Sequence, residues 1–218
     1  MKYNPPPHTS IEVLYEDKFL LIVNKPSGLL SVPGRGLEKQ DCLITRIQKE
    51  YPSALIVHRL DMSTSGLMII ALGKKMEREL SILFQNRKVD KKYIAVVNGE
   101  IKNKYGEINL PLITDWPNRP KQKVDFESGK TSRTLYTLVS YDKKNDSSRL
   151  ELIPKTGRTH QLRIHLQSLN HAILGDELYA EDDIVKKSER LLLHACNISF
   201  QHPSNEEKYI DIQLEPGF

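Results

Sequence analysis

Residues 56–72 read IVHRLDMSTSGLMIIAL. Residues 55–60 and 67–72 read as strands, the first opening on the apolar Leu55-Ile56-Val57 and the second apolar throughout. Between them lies DMSTSG, a run of turn formers. The segment therefore predicts strand, polar turn, strand, and leaves one carboxylate, Asp61, at the end of a rigid element. Arg59 lies two residues before it. If the extended geometry continues through Arg59, the two charged side chains point to the same side.

Strands dominate the reading on both sides of this segment. SIEVLYEDKFLLIVNKPSG (10–28) reads as two strands turning at residues 16–18, followed by a Pro/Gly loop. Residues 41–51 have apolar positions at helical spacing with Asp41 as N-cap, and Pro52 follows. Residues 74–86 form a second helix with Met76, Leu80, Leu83 and Phe84 on one face. KKYIAVVNGE (91–100) is a strand in which Tyr93, Ala95 and Val97 alternate with Ile94 and Val96. Residues 131–141 and 148–154 make a hairpin, 159–169 a helix, and 198–200 and 209–214 the last strands. Strands that follow one another directly argue for an α+β domain with a mixed, largely antiparallel sheet flanked by helices and loops. Residues 1–10 are expected as an N-terminal tail and 11–218 as one catalytic domain.

The 218 residues include 39% hydrophobic ones, and mean hydropathy is -0.47. That suits one globular domain. The longest apolar run, 67–72, is far short of the roughly 20 residues of a spanning helix, and MKYNPPPHTS has no secretory core. The expected location is the cytoplasm, with Cys42 and Cys196 as reduced, buried thiols. The net charge of +4 is mild, but its distribution is uneven. Residues 154–171 carry Lys155, Arg158, Arg163 and three histidines with no acid. Gly34-Arg35-Gly36 lacks the third glycine of a dinucleotide loop, and no HExxH, GxSxG or EF-hand pattern occurs. His160 and His165 are five apart on a helix, poorly placed as joint metal ligands.

Asp61 with Arg59, taken alone, is explained at least as well by an ion pair beside a turn. PKTGRTHQLRIHLQS (154–168) shifts that balance. Thr159, His160 and Gln161 occupy the expected first helical turn, Arg163 lies one turn on, and free N–H groups at such a position suit an anion. An amphipathic helix with a polar outer face is the plain reading, yet directed hydrogen-bonding groups crowded with two arginines look more like a recognition surface. Tyr93 alone is a core tyrosine with a satisfied hydroxyl. DWPNRPKQKV (115–124) sets the only tryptophan among Arg119, Lys121 and Lys123; aromatic and basic groups interleaved this way fit base stacking with phosphate contact, and an extended surface loop is the plain alternative.

Together these stretches resemble the RluA family of pseudouridine synthases. HRLDMSTSGL (58–67) resembles its catalytic motif, VNKPSGLLSVPG (23–34) its N-terminal motif, KKYIAVVNG (91–99) its tyrosine strand and KTGRTHQLRIHL (155–166) its arginine motif, with GDELYA and LLLHA completing the order. The resemblance implies an RNA-modifying isomerase acting on 23S rRNA and tRNA stem-loops, needing no metal or organic cofactor, with no S4-like domain, and expected to be a monomer. It implies Asp61 as the catalytic aspartate, Tyr93 packing on the flipped base, Arg163 pairing with Asp61, and Arg59 entering the RNA stack. His58, Leu60, Thr64, Arg119, Lys121, Lys123, Arg158, His160, Gln161 and Leu162 are expected to contact the RNA or line the cleft, with Leu60 and Leu162 keeping water out. Whether Asp61 adds to the ribose, adds to the base or removes a ribose proton stays open. The alternatives are a non-catalytic RNA-binding or ribosome assembly factor, and a glycosidase, which would require a second carboxylate.

Overall fold

A computed structural model describes residues 3–8 and 10–218. The chain divides into two compact units, the first formed by Met1–Lys91 with His194–Gly217 and the second by Lys92–Leu193 with Phe218.

The first unit is built on β1 (Val13–Glu16), β2 (Leu20–Lys25), β3 (Ala54–Ile56), β4 (Ser65–Leu72), β11 (Leu193–Gln201) and β12 (Tyr209–Gln213). Its strand order is β1-β2-β4-β11, with β3 also on β4 and β12 also on β11. All pairs are antiparallel except β4 with β11, where Ser65 lies opposite His194 and Gly66 opposite Ala195. Gly66 takes φ +113°, and a Cβ there would land on the Ala195 backbone, so only glycine lets these two strands come together. Helix α2 (Lys74–Gln85) lays Met76 and Leu80 on a core with Leu20, Ile22, Leu67, Ile69, Ile198 and Phe200. Burial of these side chains is the main stabilising contribution.

Helix α1 is short, Leu43–Ile47, and its N-cap is Cys42, not Asp41. Asp41 instead receives Arg46 Nε and Nη2, each at 2.8 Å. Arg46 Nη2 and Nη1 also donate to the carbonyls of Pro6 and Pro7 at 2.7 and 3.1 Å, and the Tyr3 hydroxyl donates to the Asp41 carbonyl at 2.8 Å. The described part of the expected tail is thus built into the first unit. Residues 1, 2 and 9 of it lie outside the described residues.

The second unit has the order β5-β10-β9-β6, all antiparallel, from β5 (Val89–Asn98), β6 (Tyr105–Asn109), β9 (Arg133–Asp142) and β10 (Ser147–Pro154). Helix α3 (Gln161–Ser168) places Leu162 and Leu166 on a core with Ala95, Val97, Tyr136, Leu150 and Leu152. Between β6 and β9 a separate two-stranded ribbon, β7 (Leu112–Thr114) and β8 (Gln122–Val124), occupies the stretch whose plain reading was an extended loop. A further short helix, α4, spans Asp182–Val185. The mixed, largely antiparallel α+β architecture is the one the sequence predicts.

Candidate active site

The expected strand over 55–60 ends early: β3 stops at Ile56, so residues 57–64 form a loop returning to β4. Asp61 lies in that loop, half-buried, and its carbonyl accepts the Thr64 N–H at 3.1 Å to close the turn. The end of β2 and the loop after it, residues 25–31, hold this one almost residue by residue. Ser31 Oγ donates to the Leu60 carbonyl at 2.7 Å and accepts the Leu60 N–H at 3.2 Å. Gly28 N–H donates to the Met62 carbonyl at 2.9 Å, and Ser27 Oγ to the Ser63 carbonyl at 2.7 Å. Lys25 is fully buried, and its ammonium donates to the carbonyls of Pro26 and Leu29, each at 2.8 Å, and of Met62 at 3.0 Å. The residues on both sides of Asp61 are therefore fixed before any substrate arrives, the condition for a carboxylate to act with little reorganisation. None of Lys25, Ser27 or Ser31 was assigned a role from sequence. The motif VNKPSGLLSVPG marked the segment, but nothing in it showed that its polar atoms would be spent on the Asp61 loop.

His58 corrects one expectation. Its Nε2 accepts the Ile69 N–H of β4 at 2.9 Å, and its ring stacks on Phe84 of α2 at 4.5 Å. Burial, reinforced by the nearby Lys91 ammonium, pushes its pKa down to about 3. A ring that must accept an amide N–H has to stay neutral. His58 ties the loop to β4 and α2. Arg59 is exposed and has no partner among the described residues.

In the second unit, Tyr93 sits on β5 on the side of Ala95 and Val97, partly buried against the core. Arg163 of α3 is buried and forms a two-pronged pair with Asp176, Nε to Oδ2 at 2.8 Å and Nη2 to Oδ1 at 2.5 Å. Asp176 also accepts the Leu178 and Tyr179 N–H groups, and the Arg163 guanidinium lies 5.1 Å from the Tyr179 ring. The Tyr179 hydroxyl accepts the Gln122 N–H at 2.9 Å and lies 2.6 Å from His160 Nδ1. The segment GDELYA, given no role from sequence, thus supplies both the carboxylate that orients Arg163 and the phenol that ties His160 to the ribbon. Gly175 begins it because a Cβ there would strike the Arg190 carbonyl.

Helix α3 begins at Gln161, not 159, and His160 before it is left-handed at φ 54°. Gln161 corrects a second expectation. It is buried, Oε1 accepts from Thr156 Oγ1 and the Arg158 N–H, and Nε2 donates to the Arg133 carbonyl and Thr134 Oγ1. Its amide binds the protein's own backbone and hydroxyls rather than RNA. Leu60, Thr64 and Leu162, expected among the RNA contacts, are likewise buried. Arg158, Lys121 and Lys123 are exposed, with Arg158 Nε on the Thr131 carbonyl and Lys123 near Asp125 at 3.2 Å. Arg119 is also exposed and lies 3.9 Å from the Trp116 ring. No cluster of His, Cys, Asp and Glu among the described residues could hold a metal ion, and no helix there is long and apolar enough to cross a membrane.

Residues 19–168 match the family model described as RNA pseudouridylate synthase. The dual-specificity RNA pseudouridine synthase RluA of Vibrio parahaemolyticus is 50% identical over 208 residues, covering 94% of this chain and 83% of its own. The protein of the same name from Escherichia coli K12 is 50% identical over 202 residues, covering 93% and 92%. Among solved structures, human RNA pseudouridylate synthase domain containing 1 aligns with a TM-score of 0.81 at 25% identity, covering 98% of this chain and 87% of that one.

Proposed function

The chain belongs to the RluA family of RNA pseudouridine synthases, and on that premise we propose that Asp61 is the residue on which its isomerisation of uridine turns. In the net reaction the bond from ribose C1′ to uracil N1 breaks and one from C1′ to C5 forms. The C5 hydrogen leaves as a proton, and N1 ends protonated. The observation that carries the reading is the loop around Asp61, whose neighbouring residues are held by Lys25, Ser27, Gly28 and Ser31. A carboxylate so held keeps its position while the target base turns.

We assign Tyr93 and Arg163 as the other residues on which the reaction depends. Arg163 is oriented by Asp176, so its charge is directed and not swept about by rotamers. The target uridine must leave its stack at a cost of a few kcal/mol, and Arg59, exposed and without a partner among the described residues, is suited to fill the space it leaves. Arg158, Lys121 and Lys123 contribute positive potential for the RNA backbone. The substrates we propose are stem-loops of 23S rRNA and tRNA, in keeping with the dual-specificity relatives, and the enzyme works as a cytoplasmic monomer.

Release of tritium from RNA labelled at uridine C5 tests this reading. Asp61→Asn lowers release by at least about a thousand-fold, roughly 4 kcal/mol of transition-state stabilisation, while RNA binding stays within a few-fold. Equal release by variant and wild type overturns the assignment.

A further inference from the structure

The β7–β8 ribbon carries the only tryptophan of the chain at its tip. Its loop is closed by its own hydrogen bonds. Asp115 N–H donates to the Lys121 carbonyl, Asn118 N–H to the Asp115 carbonyl and Lys121 N–H to the Asn118 carbonyl, each at 3.0 Å. Asn118 Nδ2 adds a bond to Asp115 Oδ2 at 2.9 Å. At the base, the Gln122 N–H is anchored on the Tyr179 hydroxyl. On this stiff loop Trp116 is 64% exposed. So large an apolar ring, left mostly in water, contributes little burial to the fold where it stands. The Arg119 guanidinium carbon lies 3.9 Å from the ring centroid, which is contact with one face of a residue that is mostly exposed. Lys121 beside it is exposed. An exposed indole in contact with one cation, on a closed loop that carries a second exposed cation, has the parts required to hold an unpaired base and its phosphate.

We propose that Trp116 is a stacking platform for an unpaired nucleobase of the RNA, with Arg119 bracing the indole and Lys121 meeting the adjoining phosphate. The proposal rests on the reading that the chain acts on RNA, and deepens it by naming a single-stranded element that the protein grips through the ribbon. An aromatic face carries no donor or acceptor code, so this platform accepts any base. It contributes affinity for a loop or bulge without restricting its sequence.

Because Trp116 is the sole tryptophan, its emission reports on this position alone. Titration of wild-type protein with a stem-loop RNA containing unpaired bases quenches the emission. Heparin, a polyanion without bases, and a fully paired RNA of equal length leave it unchanged. Trp116→Phe binds the stem-loop within about three-fold of wild type, and Trp116→Ala binds roughly 5- to 150-fold more weakly. RNA binding detected by gel shift with emission unmoved, or equal quenching by heparin, overturns the platform. Tritium release by the wild type is followed in parallel. Release with unmoved emission removes the platform and leaves the isomerase reading standing, whereas quenching without release removes the isomerase reading.

Discussion

Lys25 carries a positive charge that solvent does not reach, and the carbonyl oxygens of Pro26, Leu29 and Met62 stand around it in place of water. An ammonium has three N–H donors, and this geometry employs them all. Lys25→Met keeps the length and apolar stem but leaves three carbonyls without their charged donor, at about 1–3 kcal/mol for each that stays buried and unpaired. The expected outcome is a lower urea midpoint together with more than ten-fold slower isomerisation, against an Asp61→Asn protein that retains wild-type stability. A Lys25→Met protein with unchanged rate would show that the loop holds Asp61 without it. At this scale the motif residues were visible in the sequence and their partners were not. Gln161 and His58 have the same hydrogen-bonding atoms whether they face RNA or their own backbone. Only the positions of Thr134, Arg133 and Ile69 decide it.

Secondary-structure elements long enough to show a period were legible: α2 matches its expected span within one residue, and β5, β9 and β10 within a few. Elements of three residues, such as β7 and β8, are too short to show alternation, and their pairing is imposed by hydrogen bonds across the ribbon. Helix α1 starts after Cys42, and the Asp41 carboxylate is taken up by Arg46 of the same helix, a local ion pair that competes with capping. The parallel pairing of β4 with β11 rests on Gly66. In Gly66→Ala the new methyl meets Ala195 backbone that has no free rotamer to move, at a φ that side chains disfavour. The expected loss is about 2–5 kcal/mol in chemical denaturation. A loss under 0.5 kcal/mol would mean that the strands separate at little cost.

Each unit also keeps one histidine from protonating. Burial holds His165 at about 4, with its nitrogens 2.8 Å from Ser132 Oγ and 2.9 Å from Thr134 Oγ1, and His58 at about 3. As pH falls below 6.5 the unfolded chain protonates both rings, while the folded protein leaves them neutral until about 4 and 3. Across that window the unfolded state binds more protons, so stability falls with falling pH. The contribution is fully present above 6.5. For His165, whose ring has no exposed surface, it is about 3 kcal/mol. Below this range the depressed carboxyls of Asp17 and Asp41 prolong the loss. Urea midpoints measured from pH 7 to 4 fall for the wild type, and the decline is shallower for His165→Gln; parallel declines would assign the sensitivity elsewhere.

Periodicity and turn chemistry, read along the chain, determined the α+β class, the loop bearing Asp61 and the motifs that carry the family. These are local properties, written in the order of side chains. The tertiary structure decided which polar groups hold the loop and which stay exposed. Lys25 reaches Met62 across 37 positions, Arg163 is turned by Asp176 and not by its own helix, and Trp116 meets Arg119 on a closed ribbon. Hydrogen bonds and burial act over a few ångströms in space, and chain order alone does not state which atoms arrive within that distance.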